Sequence, residues 1–302
     1  MISPRWERRP EGLRRPAAVA AFLGWNDAAG AASTAVALVG KRLGASRIAV
    51  LDAEELFDYG TVRPTIDLSS SGGGEIDWPK IEIYEARTPG ADRDLLLIVG
   101  PEPSLRWRSF CAGVLDLVEE LGGDLMVTLG ALLADVPHGR PVRLTGMASD
   151  PELIARLGTR QPEYRGPTGI VGTLHQSACD RGLQAVSLWA PVPHYTANVM
   201  DPKGALALVR ALEAVTGVAV DASELEAATT EHERRVSRAV DADPGLQDLV
   251  QRLERAADAE PGIDPSSLFQ TGEELAGELE RFLRQRERGS GGDAEDDDPQ
   301  VS

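Results

Sequence analysis

The sequence predicts an α/β protein with a mixed, mostly parallel sheet and a C-terminal helical appendage. Three observations lead there. Unbroken apolar runs recur at Ala17–Leu23, Asp94–Gly100 and Leu125–Gly130, as in strands buried on both faces. Segments of helical period separate them. Beyond Asp221 the pattern changes to charged helices with only thin apolar stripes.

Residues 1–16 hold Pro4, Pro10, Pro16 and five arginines and read as a flexible arm. The strand Ala17–Leu23 follows, then the turn Gly24–Gly30 and a helix over Ala31–Leu43. In that turn Asn26 and Asp27 are N-cap types, whose side-chain oxygens accept first-turn N–H groups. Free N–H groups at the end of a parallel strand are also where an anion binds. Arg47–Leu51 is a second strand, Gly44 ends the helix before it, and Asp52–Tyr59 is a helical turn and loop. Ile66–Ser69 and Ile81–Ala86 both alternate apolar with polar, so they are expected to pair as a hairpin across the turn Ser69–Gly74.

Asp94–Gly100 leads into Gly100-Pro-Glu-Pro-Ser-Leu-Arg-Trp-Arg-Ser-Phe110. Arg106 and Arg108 flank Trp107 there: either they hold an anion beside a ring, or one of them pairs with Glu102 or Asp27. The spacing of Phe110, Val114, Leu117, Val118 and Leu121 predicts a helix over Trp107–Leu121. After the strand Leu125–Gly130, a loop carries Asp135, His138 and Arg140, with His138 either a base or a hydrogen-bond partner. Leu144–Ala148 is a fourth strand and Pro151–Leu157 a short helix capped by Asp150. Thr168 caps a helix running from Gly169 to Gly182. Ala185–Ala190 is the last strand, and His194 and Tyr195 follow it between prolines. Pro202–Thr216 is a helix ended by Gly217. The body thus spans 17–220 and the appendage 221–288, with capping boxes at Ser223–Glu226 and Thr271–Glu274. Residues 289–302 form an acidic tail expected to be disordered.

The net charge of −17 argues against nucleic acid and anionic membranes as partners. No run approaches the roughly 20 apolar residues of a membrane span, so the cytoplasm is the expected compartment. Cys111 and Cys179 read as reduced, buried thiols. No pair of Cys or His has metal-ligand spacing, and neither a nucleophile elbow nor a phosphate-binding glycine loop occurs. Neither a metal nor a cofactor is expected.

Five ordered motifs carry a resemblance. They are Phe22-Leu-Gly-Trp-Asn-Asp-Ala-Ala-Gly30, Gly100-Pro-Glu-Pro-Ser-Leu-Arg-Trp107, Thr128-Leu-Gly-Ala-Leu-Leu-Ala-Asp-Val-Pro-His138, Tyr164-Arg-Gly-Pro-Thr-Gly-Ile-Val-Gly172 and Val192-Pro-His-Tyr195. Together they resemble the proteasome assembly chaperone 2 family in its bacterial, actinobacterial-type branch, over about Ala17 to Leu283. The resemblance implies a sheet sandwiched by helices, similar to nucleoside phosphorylases and peptidyl-tRNA hydrolases. It also implies self-association as a homotrimer, and proteasome subunits as partners. Some relatives dock through a C-terminal hydrophobic-Tyr-any tail; this sequence ends Pro299-Gln-Val-Ser302.

Two functions stand side by side. One is a non-enzymatic, self-associating chaperone or scaffold. The other is a small-molecule or nucleoside-like binding protein, or a hydrolase, with its site at the strand-end loops. The candidate binding residues are Trp25, Asn26, Asp27, Arg106, Arg108, His138, His194 and Tyr195. The second reading requires them to converge on one pocket.

Overall fold

The computed structural model describes residues 2–51, 54–68, 74–150, 152, 159 and 164–259. Ten strands appear in chain order: β1 (Arg5–Trp6), β2 (Ala17–Leu23), β3 (Ser46–Leu51), β4 (Thr65–Asp67), β5 (Glu75–Asp77), β6 (Ile81–Ala86), β7 (Leu95–Pro101), β8 (Leu125–Ala134), β9 (Thr145–Ala148) and β10 (Gln184–Pro193). Six described helices accompany them: α1 (Ala31–Arg42), α2 (Trp107–Glu120), α3 (Ile170–Asp180), α4 (Pro202–Thr216), α5 (Ser223–Asp241) and α6 (Pro244–Ala259).

Eight strands form one mixed sheet in the order β1-β3-β6-β7-β2-β8-β10-β9. Its centre, β7-β2-β8-β10, is parallel, and antiparallel strands close both sides. The alternation of β2 explains the two layers. Ala17, Val19 and Ala21 enter the core beneath α1 and α4, whereas Ala18, Ala20 and Phe22 enter the core beneath α2 and α3. Leu95 and Leu97 of β7 join the first core, and Leu96 and Ile98 the second. Each such Leu or Ile contributes about 1.5–3 kcal/mol by leaving water. On α2, Phe110, Val114, Leu117 and Val118 are all buried, on the face their spacing predicts. Trp189 lies over Gly130, its partner across the β8–β10 ladder; a Cβ on Gly130 would sit 2.6 Å from the indole.

Several expectations need correction. Residues 2–16 are tied to the body: β1 pairs with β3, Ile2 is buried, and Gly113 of α2 leaves room for the Ile2 carbonyl, 2.4 Å from where a Cβ would be. β6 does not pair with Ile66–Ser69. It lies in the main sheet between β3 and β7, while β4 pairs with β5 in a separate ribbon. Its alternation arises because Ile81 and Ile83 are core whereas Glu82 and Tyr84, only half-buried, line a groove beside α1. Ser223 begins α5 without capping it; Asp221 accepts the Ser223 N–H at 3.1 Å instead. Cys111 is buried, but Cys179 is only half-buried. Of the predicted helix over 151–157 only Glu152 is described, its N–H given to Asp150 Oδ1 at 2.9 Å; the helix after Thr271 and the acidic tail lie outside the described residues.

α5 returns over the body through Leu225, His232 and Val240. α6 is fastened to the loop after β8, where Arg140 pairs with Glu254 at 3.0 Å and with Asp258 at 2.8 Å. No described helix is long and apolar enough to cross a membrane.

Candidate functional site

The carboxyl ends of β2, β7, β8 and β10 stand side by side, where ligands of open α/β sheets bind. What the chain places there is a set of polar side chains that bond within the chain. Asn26 is fully buried. Its Nδ2 donates to Glu102 Oε1 at 2.6 Å, and its carbonyl accepts the Ala131 N–H at 2.8 Å, which extends β8 toward β2. Glu102 Oε1 also accepts the Ile170 N–H at 2.9 Å and so caps α3 from the loop after β7. Thr168 makes no cap; Gly169 holds the N-cap position. Gly169 is required there, since a Cβ would fall 2.1 Å from Asn26 Oδ1. Asp27 Oδ1 accepts the Ala32 and Ser33 N–H groups at 2.8 and 3.2 Å, so it caps α1 across one 3-10 turn. Asn26 Oδ1 and Asp27 Oδ2 are buried with no hydrogen-bond partner among the described residues.

The arginines do not join this group. Arg106 pairs with Glu55 at 2.9 Å, both side chains half-exposed, and its positive φ of 55° lies at the start of α2. Arg108 projects into solvent on the first turn of that helix. Neither pairs with Asp27, because the turn before α2 carries them outward. The Trp107 indole N–H donates to the Pro103 carbonyl. Trp25 is 61% exposed.

A second group forms where the loop after β8 meets β10. Tyr195 Oη accepts the His138 backbone N–H at 2.8 Å and lies 2.9 Å from His138 Nδ1. The other ring nitrogen, Nε2, lies 3.1 Å from Ser237 Oγ of α5, so both ring nitrogens are engaged within the chain. Burial pushes the Tyr195 hydroxyl up to about 12, which keeps its proton in place. Burial, and then the Lys203 charge, lower His138 below the usual imidazole value. Lys203 Nζ donates to the carbonyls of His138 (2.6 Å) and Arg140 (2.7 Å) and pairs with Glu233 of α5 (2.5 Å). His194 turns away and pairs with Asp135 at 2.9 Å on the surface. The cavity beside this group, lined by His138, Arg140, Asp201, Lys203, His232 and Asp258 among others, holds about 60 Å³.

The eight candidate residues therefore fall into separate places. Asn26 and Asp27 share one turn, while His138, after β8, meets Tyr195, after β10, with His194 beside it. Arg106, Arg108 and Trp25 stand apart. Sequence reasoning missed Ser237, Lys203 and Glu233, which lie on distant helices and carry no motif. Glu102 had a signal, a carboxylate set between prolines directly after a buried strand. Among the described residues no group of three His, Cys, Asp or Glu side chains is placed to hold a metal ion.

The apolar side chains at the same end are arranged in the opposite way. Leu23, Trp25, Leu105, Leu133, Val199 and Met200 are all exposed.

Comparison with known proteins follows this geometry. The PAC2 family model matches residues 21–240. A proteasome-assembly chaperone homologue of Mycobacterium tuberculosis is 40% identical, with a TM-score of 0.72 over 78% of this chain and 99% of its own. A PAC2 family protein of Streptomyces avermitilis is 41% identical, with a TM-score of 0.71 and the same coverage. An archaeal proteasome activator of Pyrococcus furiosus shares the fold at 19% identity, with a TM-score of 0.63 over 79% of this chain and 99% of its own. No curated protein matches the chain. The match over residues 21–240, with the two relatives near 40% identity, places this chain in the PAC2 family.

Proposed function

We propose that the chain is a non-enzymatic, self-associating scaffold of the cytoplasm with a chaperone-like role toward proteasome subunits. The observation that carries this reading is the division of labour at the sheet's carboxyl end. Asn26, Asp27, Glu102, His138 and Tyr195 bond to the chain itself, whereas Leu23, Trp25, Leu105, Leu133, Val199 and Met200 face solvent. Exposed apolar surface of this kind marks a protein-binding face. The partner class comes from the relatives, one described as a proteasome-assembly chaperone homologue and one as a proteasome activator. The homotrimer is the stoichiometry that the family resemblance favours. Reconstituting proteasome subunits with and without the purified chain tests the partner. Faster appearance of assembled particles at stoichiometric amounts is expected; an unchanged time course removes the proteasome from the reading.

One observation favours a small ligand. A groove of about 450 Å³ lies beside α1, lined by Leu23, Val36, Leu97, Val99 and Tyr84, within the size range of ligand pockets. Its lining is mostly apolar, and the Tyr84 hydroxyl is engaged with Glu82 Oε2 at 3.0 Å. None of the eight candidate residues lines it.

A further inference from the structure

Asn26 and Glu102 close the middle of the sheet's carboxyl end, and exposed side chains stand around them. Trp25 directly precedes Asn26. Leu23, 51% exposed, gives its carbonyl to the Glu102 N–H, and Leu105, 50% exposed, lies three residues beyond Glu102. Tyr164 and Arg165 are exposed in the loop that ends at Gly169, whose backbone lies against the Asn26 amide. Arg108 stands on the first turn of α2. Its row on that helix continues through Ala112 and Asp116, both of which bond to Arg181 just past the end of α3. The row therefore faces α3, and Arg108 lies toward the side from which Arg165 comes.

The charge at this face is the reverse of the chain's. Arg108 and Arg165 have no partner among the described residues. The carboxylates that stand with them are already engaged. Glu102 and Asp27 turn inward onto N–H groups, Glu55 pairs with Arg106, and Asp135 pairs with His194. On a chain of net charge −17, two unpaired guanidinium groups beside an exposed Trp and Tyr are a local exception.

We propose that this face binds an acidic peptide segment of a partner protein. The segment sets Leu or Phe side chains against Trp25, Leu23 and Leu105, and side-chain carboxylates against Arg108 and Arg165. This deepens the chaperone-like reading and rests on it, by stating what a client segment carries. Trp, Tyr and Arg are the side chains that carry most of the binding energy at protein interfaces. A guanidinium meets a carboxylate with two parallel N–H bonds, which fixes orientation as well as charge. Two arginines are too few to hold a nucleic acid or an anionic membrane against the repulsion of the whole chain. The Asn26–Glu102 pair seals the floor between them, so an extended segment lying across the surface fits better than a small molecule held in a pocket.

The test is fluorescence anisotropy of a labelled decapeptide, acetylated and amidated at its ends, that alternates Leu or Phe with Asp or Glu. It is titrated with the purified full-length chain. A second probe replaces each Asp and Glu with Asn and Gln. The expected result is saturable binding of the acidic probe that weakens with added salt. Binding is expected to be about tenfold weaker or more for the Asn/Gln probe and for the double variant Arg108→Glu/Arg165→Glu. Arg235→Glu/Arg238→Glu, a reversal of two exposed arginines on α5, is expected to bind as wild type does. All four positions are exposed, so far-UV circular dichroism is expected to be unchanged. No binding to the wild type overturns the proposal, as does equal binding of the two probes or equal loss in both double variants. A sedimentation change in Arg108→Glu/Arg165→Glu, with the probe bound by neither protein, assigns the face to a second copy and overturns it too. Faster proteasome assembly that survives Arg108→Glu/Arg165→Glu overturns this inference and leaves the chaperone-like reading standing. Probe binding with an unchanged assembly time course removes the proteasome and keeps the acidic-segment face.

Discussion

Asn26 and Asp27 are neighbours with separate tasks. Both residue types suggest an N-cap, but only Asp27 caps α1; Asn26 instead fastens the β2 turn to Glu102 and to β8. The sequence shows that a cap stands in this turn. Which of the two residues makes it depends on the single 3-10 turn at Ala28–Gly30, which residue types do not reveal. Glu102→Ala is expected to cost about 2–3 kcal/mol, because a buried amide and the first N–H of α3 lose a charged acceptor together. Urea unfolding checks this, and a loss below about 0.5 kcal/mol contradicts the shared cap.

The histidines set the pH response. Burial lowers His138, His175 and His232 below the unfolded imidazole value near 6.5. As pH falls below that value the unfolded chain binds protons first, so stability declines. It is level above about pH 7 as far as these groups go. Asp201, raised by burial, acts in the opposite sense within the carboxylate range. Asp94 is held down at about 2, despite burial, by the Thr88 and Arg14 N–H groups and the Arg14 guanidinium; it adds a further loss at stronger acid. Urea midpoints from pH 8 to pH 5 are expected to fall, and His232→Gln to flatten part of that fall. A midpoint constant over the range contradicts the account.

Among the elements, β2, β7, β8, α2 and α4 were legible because period and burial agree in them. α4 spans Pro202–Thr216 and ends at Gly217, as the sequence predicts, and Asp201 caps it. β6 was misplaced because alternation reports that one face is wet and not which strand lies alongside. The start of α3 at Gly169 was legible, but its capping side chain was not, because Glu102 is 68 residues away. This junction yields a sharp comparison. Gly169→Ala puts a methyl against the Asn26 amide and is expected to cost about 1–3 kcal/mol by overpacking. Gly90→Ala meets nothing within 4 Å and is expected to stay within about 0.5 kcal/mol of wild type. Equal melting of the two variants contradicts the close approach of α3 to the β2 turn.

For the whole molecule, the layered architecture was readable from sequence, and the grouping of the candidate residues was not. His138 and Tyr195 meet because β8 and β10 are adjacent and parallel in register, so the loops leaving them run together. Ser237 joins them from α5, and nothing in its helix distinguishes it from the charged residues around it. The central claim is that the polar groups at the strand ends hold the fold, while the apolar groups beside them face a partner. Thermal melting of wild type and Asp27→Ala, each alone and with a panel of nucleosides and inorganic phosphate, tests it most directly. The account predicts that the variant melts about 3–6 °C lower, from the loss of about 1–2 kcal/mol of capping, and that no ligand shifts either protein. A clear upward shift of the wild type with a nucleoside, lost in an Asp27→Ala protein that otherwise melts like wild type, would contradict it and make this turn a ligand site.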